Sequence, residues 1–213
     1  MKKKFSLFIF LIICLSIFSQ NEKKNIIKPI KIGFLYNYGI NENFVFDDPD
    51  YTYSTNTYKL QAFYKLGSFK KIDFELIVQP QIQFLKHQLI NEQFVTPEDE
   101  NYLEKRAEFT QVKNMSLLAI EFGFAAKRKI SKKLDIQGTI SLGFSYIDTR
   151  SERLAKGFTF IENFSVGFSY KILKYNYLYI GTNFGHVSNL DFQKPNDGYN
   201  NLGLEIGYSF FLN

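Results

Sequence analysis

Tryptophan is absent from this 213-residue chain, cysteine occurs once, histidine twice and proline five times. The one cysteine, Cys14, lies in the apolar amino-terminal run, so the remainder can build neither a disulfide nor a thiol site. It follows Ile13 rather than a small residue, which argues against lipidation there. No zinc-ligand spacing, phosphate loop or nucleotide fingerprint occurs, and we expect no metal and no cofactor. Beyond the amino-terminal run, no apolar stretch reaches the roughly 20 residues that a membrane-spanning helix needs. The formal charge of +5 owes much to Lys2, Lys3 and Lys4, so it is a poor argument for nucleic acid.

What is present begins with an export signal. Lys2 to Lys4 supply a basic start, residues 5–18 an apolar run, and Ser19-Gln20 an exit. We expect residues 1–20 to be a signal peptide and residues 21–213 one domain. That domain is rich in aromatics, with 24 Phe and 14 Tyr in the whole chain, yet mean hydropathy is slightly negative. An export signal, many aromatics and a mildly polar average together suggest an outer-membrane β-barrel.

Residues 134–146 alternate strictly. Leu134, Ile136, Ile140, Leu142, Phe144 and Tyr146 face one way, and Asp135, Gln137, Thr139, Ser141 and Ser145 the other. A period of two is the signature of a strand with unlike faces. A soluble sandwich would also alternate, but its polar face usually carries Lys and Glu; Ser, Thr, Gly and Gln suit a narrow polar lumen. Similar stretches recur at 30–38, 58–66, 72–84, 118–126, 158–170, 178–188 and 202–212, each close to the length that crosses a bilayer at a tilt. Pro80 inside the third stretch predicts a bulge or irregular edge.

The connections alternate in length. A long acidic loop around Asp47, Asp48 and Asp50 is followed by a tight Gly67-Ser68 turn, and then by the longest loop, at 85–113. In that loop Thr96-Pro97-Glu98-Asp99 reads as a helix start. A basic turn at 127–133, a loop at 147–157 and a tight turn at Leu173-Lys174 complete the series. The expected fold is all-β: a single antiparallel transmembrane β-barrel of about eight strands, with short periplasmic turns and longer extracellular loops. The end of the chain, Glu205-Ile206-Gly207-Tyr208-Ser209-Phe210-Phe211-Leu212, resembles the carboxy-terminal signal that bacterial barrels present to their assembly machinery.

Chemistry concentrates near the last two strands. His186 and Ser188 share the lipid-facing parity of the seventh strand, at its outer end. Imidazole titrates near working pH and suits a general base, and a neighbouring serine suits a nucleophile. Backbone N–H groups after Ser188 can face an oxyanion. The plainer reading is two polar side chains where a strand leaves the bilayer, and energetics do not forbid it. Glu162 has outward parity on the sixth strand, beside Phe184 and diagonal to His186 by the hairpin count, and is an alternative acid. His87 reads as a solvated loop residue. Arg150, Arg153 and Lys156 read chiefly as a solvated loop and secondarily as a phosphate site.

Together, His186-Val187-Ser188-Asn189 and Pro195-Asn196-Asp197-Gly198 resemble the signature of PagL-type lipid A deacylases, among which are proteins called acyloxyacyl hydrolases. The resemblance covers the last two strands and their loop in motif detail, and the rest in architecture. It implies metal-free hydrolysis of an ester-linked hydroxyacyl chain of lipopolysaccharide by His186 and Ser188 with an acid, with Asn189 and Asn196 shaping the oxyanion region and loop. One departure stands out: the family's glutamate falls on Asn200, whose amide can hold the imidazole tautomer but supplies no charge. The expected partners are lipid A, outer-membrane lipids and the assembly machinery, with a homo-oligomer allowed and nucleic acid excluded. A non-enzymatic barrel and a phospholipid esterase are the competing readings.

Overall fold

The computed structural model describes residues 28–41 and 48–212; the expected signal peptide and Asp47 lie outside them. Eight strands form one closed antiparallel barrel in sequence order. They are β1 (Lys31–Ile40), β2 (Tyr51–Phe69), β3 (Ile72–Leu89), β4 (Lys113–Lys129), β5 (Leu134–Ile147), β6 (Gly157–Lys171), β7 (Asn176–Ser188) and β8 (Tyr199–Phe211). The ring closes where β1 pairs β8, Lys31 standing opposite Phe211 and Ile40 opposite Leu202. Closure follows from the environment, because lipid offers no partner to an unpaired backbone edge.

The period-two pattern becomes the two faces of the wall. On β5, Ile136, Ile140, Leu142, Phe144 and Tyr146 are exposed on the outside, whereas Thr139, Ser141 and Ser145 are buried inside. The lumen holds paired charges. Glu121 accepts from Lys59 Nζ (3.0 Å), Gln79 Nε2 (2.9 Å) and Ser141 Oγ (2.6 Å), and Glu75 accepts from Lys127 Nζ (2.6 Å) and Lys31 Nζ (3.3 Å). A charge taken out of water is tolerable only with such partners. Toward the long-loop end the filling turns apolar. Tyr51, Tyr53, Leu85, Met115, Leu117, Ile147, Ile161, Val187 and Tyr199 form one buried layer there.

The connections differ in detail from the sequence reading. The β2–β3 turn is Lys70-Lys71, with φ of 47° and 68°, as a two-residue hairpin of the I′ kind requires. Gly67 instead sits at a bulge, where the register shifts between Lys65 and Gly67. Pro80 causes no shift: Lys59 opposite Gln81 and Ala62 opposite Val78 keep one register on either side of it. The longest loop is shorter than expected, because β3 and β4 continue to Leu89 and from Lys113. Its helix, α1 (Tyr102–Phe109), starts after Asn101 rather than at Thr96. The Thr96 N–H and hydroxyl both turn onto Asp99 Oδ2, at 3.1 and 3.3 Å, which closes a separate turn ahead of the helix.

β2, β3 and β4 run 19, 18 and 17 residues, more than the 9–11 or so that cross the hydrocarbon. The sheet therefore extends past the bilayer at the long-loop end. The outward face is what lipid reads, so Ile140→Arg is expected to destabilise the barrel by about 2–4 kcal/mol, measured by reversible unfolding in lipid vesicles. A change below about 0.5 kcal/mol would mean that Ile140 does not face lipid near the midplane.

Candidate active site

β7 ascends with Ile180, Thr182 and Phe184 exposed on the outside, followed on the same face by His186 and Ser188, both half-buried. Between them Val187 points inward and is 2% exposed in the apolar layer. The strand bearing the pair is thus held from inside by packing. β8 descends with Asn200 directly opposite His186, and Asn200 Oδ1 lies 2.7 Å from His186 Nδ1. A carboxamide oxygen only accepts, so Nδ1 is the donor in this contact, and in the neutral ring the lone pair then lies on Nε2. Among the described residues no hydrogen bond joins Ser188 to the ring; such bonds commonly tighten only with substrate bound.

Glu162 stands one step from where the sequence count put it. The β6–β7 hairpin places it directly opposite His186, and Phe164 opposite Phe184. The connection is centred on Lys174, one residue later than the hairpin through Leu173 that the count assumed, and each such step moves the pairing by two. The Glu162 side chain is exposed and makes no hydrogen bond to His186, whose Nδ1 is turned to Asn200 on the other flank.

The β7–β8 loop is tied to itself by two amides. The Asn189 N–H donates to Asn196 Oδ1, and Asn189 Nδ2 donates to the carbonyls of Gln193 (2.9 Å) and Pro195 (3.3 Å). Leu190 and Asp191, directly after Asn189, adopt φ of 53° and 64°, the strained left-handed region. Gly198 has φ of 65°, and a Cβ there would lie 2.2 Å from Val187 O and 3.3 Å from His186 Cε1. Only glycine lets the loop close against the back of the imidazole.

Two loop residues behave otherwise than expected. His87 is not solvated: it lies on β3, 4% exposed, with Nε2 at 2.8 and 3.0 Å from the two oxygens of Glu152. The strand continues past the residue where the apolar alternation weakens, which is why the sequence suggested a loop. Arg153 is half-buried; its Nε donates to Gly198 O (3.1 Å) and its guanidinium lies over Tyr51. Arg150 is exposed and forks onto Glu108 of α1, which Lys113 also contacts. Hydrogen bonds from Arg150, opposed by partial desolvation, leave the Glu108 carboxyl at about 2. Arg150 and Lys156 thus keep the expected solvated position. Glu152 is the part of the site that sequence reasoning passed over; Arg153 was read only as a loop or phosphate residue, and Gly198 only as the end of the motif.

A family model described as Lipid A 3-O-deacylase (PagL) matches residues 36–209. The chain belongs to the PagL family. The fold is similar to that in the crystal structure of the outer membrane enzyme PagL, with a TM-score of 0.53 and 10% identity over 84% of this chain and 99% of that one. Neisserial surface protein A is also similar, with a TM-score of 0.48 and 10% identity over 85% of this chain and 96% of that one. No curated protein matches the sequence. Family membership makes this an outer-membrane barrel of the lipid A deacylase family. Within the PagL frame, the one polar side chain hydrogen-bonded to His186 among the described residues is an amide, Asn200.

Two outcomes are expected. Gly198→Ala should cost about 1–3 kcal/mol through left-handed strain alone and displace the His186 ring, read by unfolding and by the histidine NMR signals. The Glu108 carboxyl, whose folded value lies below its ordinary 4.5, should keep its Arg150 contact at and above that pH and lose it only as pH falls toward about 2. A carbon-detected NMR titration of Glu108 checks this; a midpoint near 4.5 would rule the pairing out.

Proposed function

We propose that this barrel hydrolyses an ester-linked hydroxyacyl chain of lipid A, with Ser188 as nucleophile, His186 as general base and Asn200 as the group that orients the ring. The observation that carries this is the Nδ1–Oδ1 contact of 2.7 Å, which leaves Nε2 free to take a proton on the face it shares with Ser188. Long loops belong on the extracellular side of such barrels, so the pair meets the outer leaflet. A hydrolytic pair facing lipid there acts on a lipid.

The steps follow from these groups. Ser188 Oγ attacks the ester carbonyl while its proton passes to His186 Nε2, giving a tetrahedral oxyanion. The Asn189 N–H is already committed to Asn196; the next N–H, that of Leu190, donates to no group among the described residues and is assigned to the oxyanion. Collapse expels the sugar oxygen, which takes the proton from His186. Water then repeats the sequence on the acyl-serine, releasing the hydroxy fatty acid and restoring Ser188. Asn200 holds the tautomer throughout, but as a neutral amide it adds no charge to steady the imidazolium. Phe160 stands opposite Ser188 across β6 and β7, with the rings of Phe158 and Phe192 at 4.9 and 6.0 Å. These three form an apolar wall for the acyl chain.

The refolded protein should remove one hydroxyacyl mass from lipopolysaccharide in mixed micelles, read by mass spectrometry of lipid A. Ser188→Ala is expected to lower kcat at least about 10³-fold, and Asn200→Ala about 10²-fold. Asn200→Asp, which supplies the missing charge, should exceed the parent rate. No mass loss from lipid A, or release from phospholipid alone, would overturn the substrate; full activity in Ser188→Ala would overturn the nucleophile.

A further inference from the structure

A buried, hydrogen-bonded His–Glu pair lies across the barrel mouth from the site. His87 and Glu152 side chains are 5% and 1% exposed, set among Tyr51, Leu154 and the apolar layer. Apolar side chains of similar volume would stabilise such a position equally well. What the pair adds is direction, since both carboxylate oxygens meet one nitrogen, Nε2. β3, which carries His87, is four strands from β7 either way round the ring. The contact therefore ties the β5–β6 loop to the wall opposite the site.

From Glu152 the connection is short and stiff. Ser151 Oγ accepts the N–H groups of Arg153 (3.2 Å) and Leu154 (3.1 Å), and the Ser151 N–H donates to Leu154 O (2.9 Å). Fixing Glu152 in this turn fixes the Arg153 backbone. Arg153 then grips both sides of one residue: its carbonyl accepts the Gly198 N–H (3.0 Å) and its Nε donates to Gly198 O (3.1 Å). Leu154 bridges Asn196, and the Ala155 N–H donates to Pro195 O (3.0 Å). Gly198 is the residue pressed against His186 Cε1.

We propose that the His87–Glu152 pair is a positioning device for His186, acting through Arg153 and Gly198. Neither residue touches the reacting atoms. Their removal frees the β5–β6 loop, relaxes the grip on Gly198 and lets the imidazole leave the plane in which Nδ1 meets Asn200. Its bearing on catalysis rests on the assignment of His186 made above; its bearing on the geometry does not.

The chain has two histidines, so selective ¹³C-histidine labelling of the refolded barrel yields two resolvable ring signals. In Glu152→Ala the His87 signal must move, and the device requires the His186 signal to shift or broaden as well, with kcat for lipid A deacylation falling about tenfold at unchanged KM. Glu152→Gln, which keeps a hydrogen bond to Nε2, should restore both. Arg153→Lys, which keeps the charge near Tyr51 and the backbone bond but loses the Nε–H bond to Gly198 O, should move the His186 signal and leave that of His87 in place; it decides the matter if the alanine variant does not refold. A His186 signal unmoved in these variants overturns the device. Absence of deacylation in the parent protein would overturn the proposed function alone, because the ring signals still report the coupling.

Discussion

Everything in this molecule depends on a closed ladder of backbone hydrogen bonds. In lipid an open edge is prohibitive, so β1 must find β8, and once it does every strand has its two faces assigned. The residue period of two then sends apolar side chains to lipid and polar ones to the lumen along β5 until Ile147, which turns inward into the apolar layer. It also sends His186, Ser188 and Asn200 outward at one end. Their placement needs no special local device beyond register, and a slip of one residue would turn all three into the interior.

The site differs from a loop-borne one because packing holds it from behind. Val187 is buried between the two outward side chains, so strand β7 cannot twist there without opening the apolar layer. Against this stiff strand the β7–β8 loop is strained and self-bonded, with left-handed residues at Leu190, Asp191 and Gly198. Strain of this kind persists where surroundings over-determine the backbone. The amides of Asn189 and Asn196 and the grip of Arg153 supply that constraint.

Sequence alone made the strands legible because alternation is a local, repeated signal: residues 134–146 match β5 (Leu134–Ile147) within one residue. The His186–Ser188 face was legible for the same reason, and the PagL motif was legible in the loop that follows. What escaped was set by distance. His87 carries no local mark of burial; it is buried because Glu152, 65 residues away, comes to meet it. Glu162 fell beside Phe184 instead of His186 because a hairpin centre, one residue in doubt, displaces a whole ladder. Lys70 and Lys71 turn the chain although glycine next door is the better turn residue, since Gly67 is taken by the bulge.

One more consequence follows from the filling of the lumen. Salt-bridged side chains occupy its middle and an apolar layer seals it at the long-loop end. Among the described residues, an ion crossing the lumen would have to break those pairs and part that layer. A barrel filled in this way is expected to leave the permeability barrier of its membrane intact and to be electrically silent in a planar bilayer.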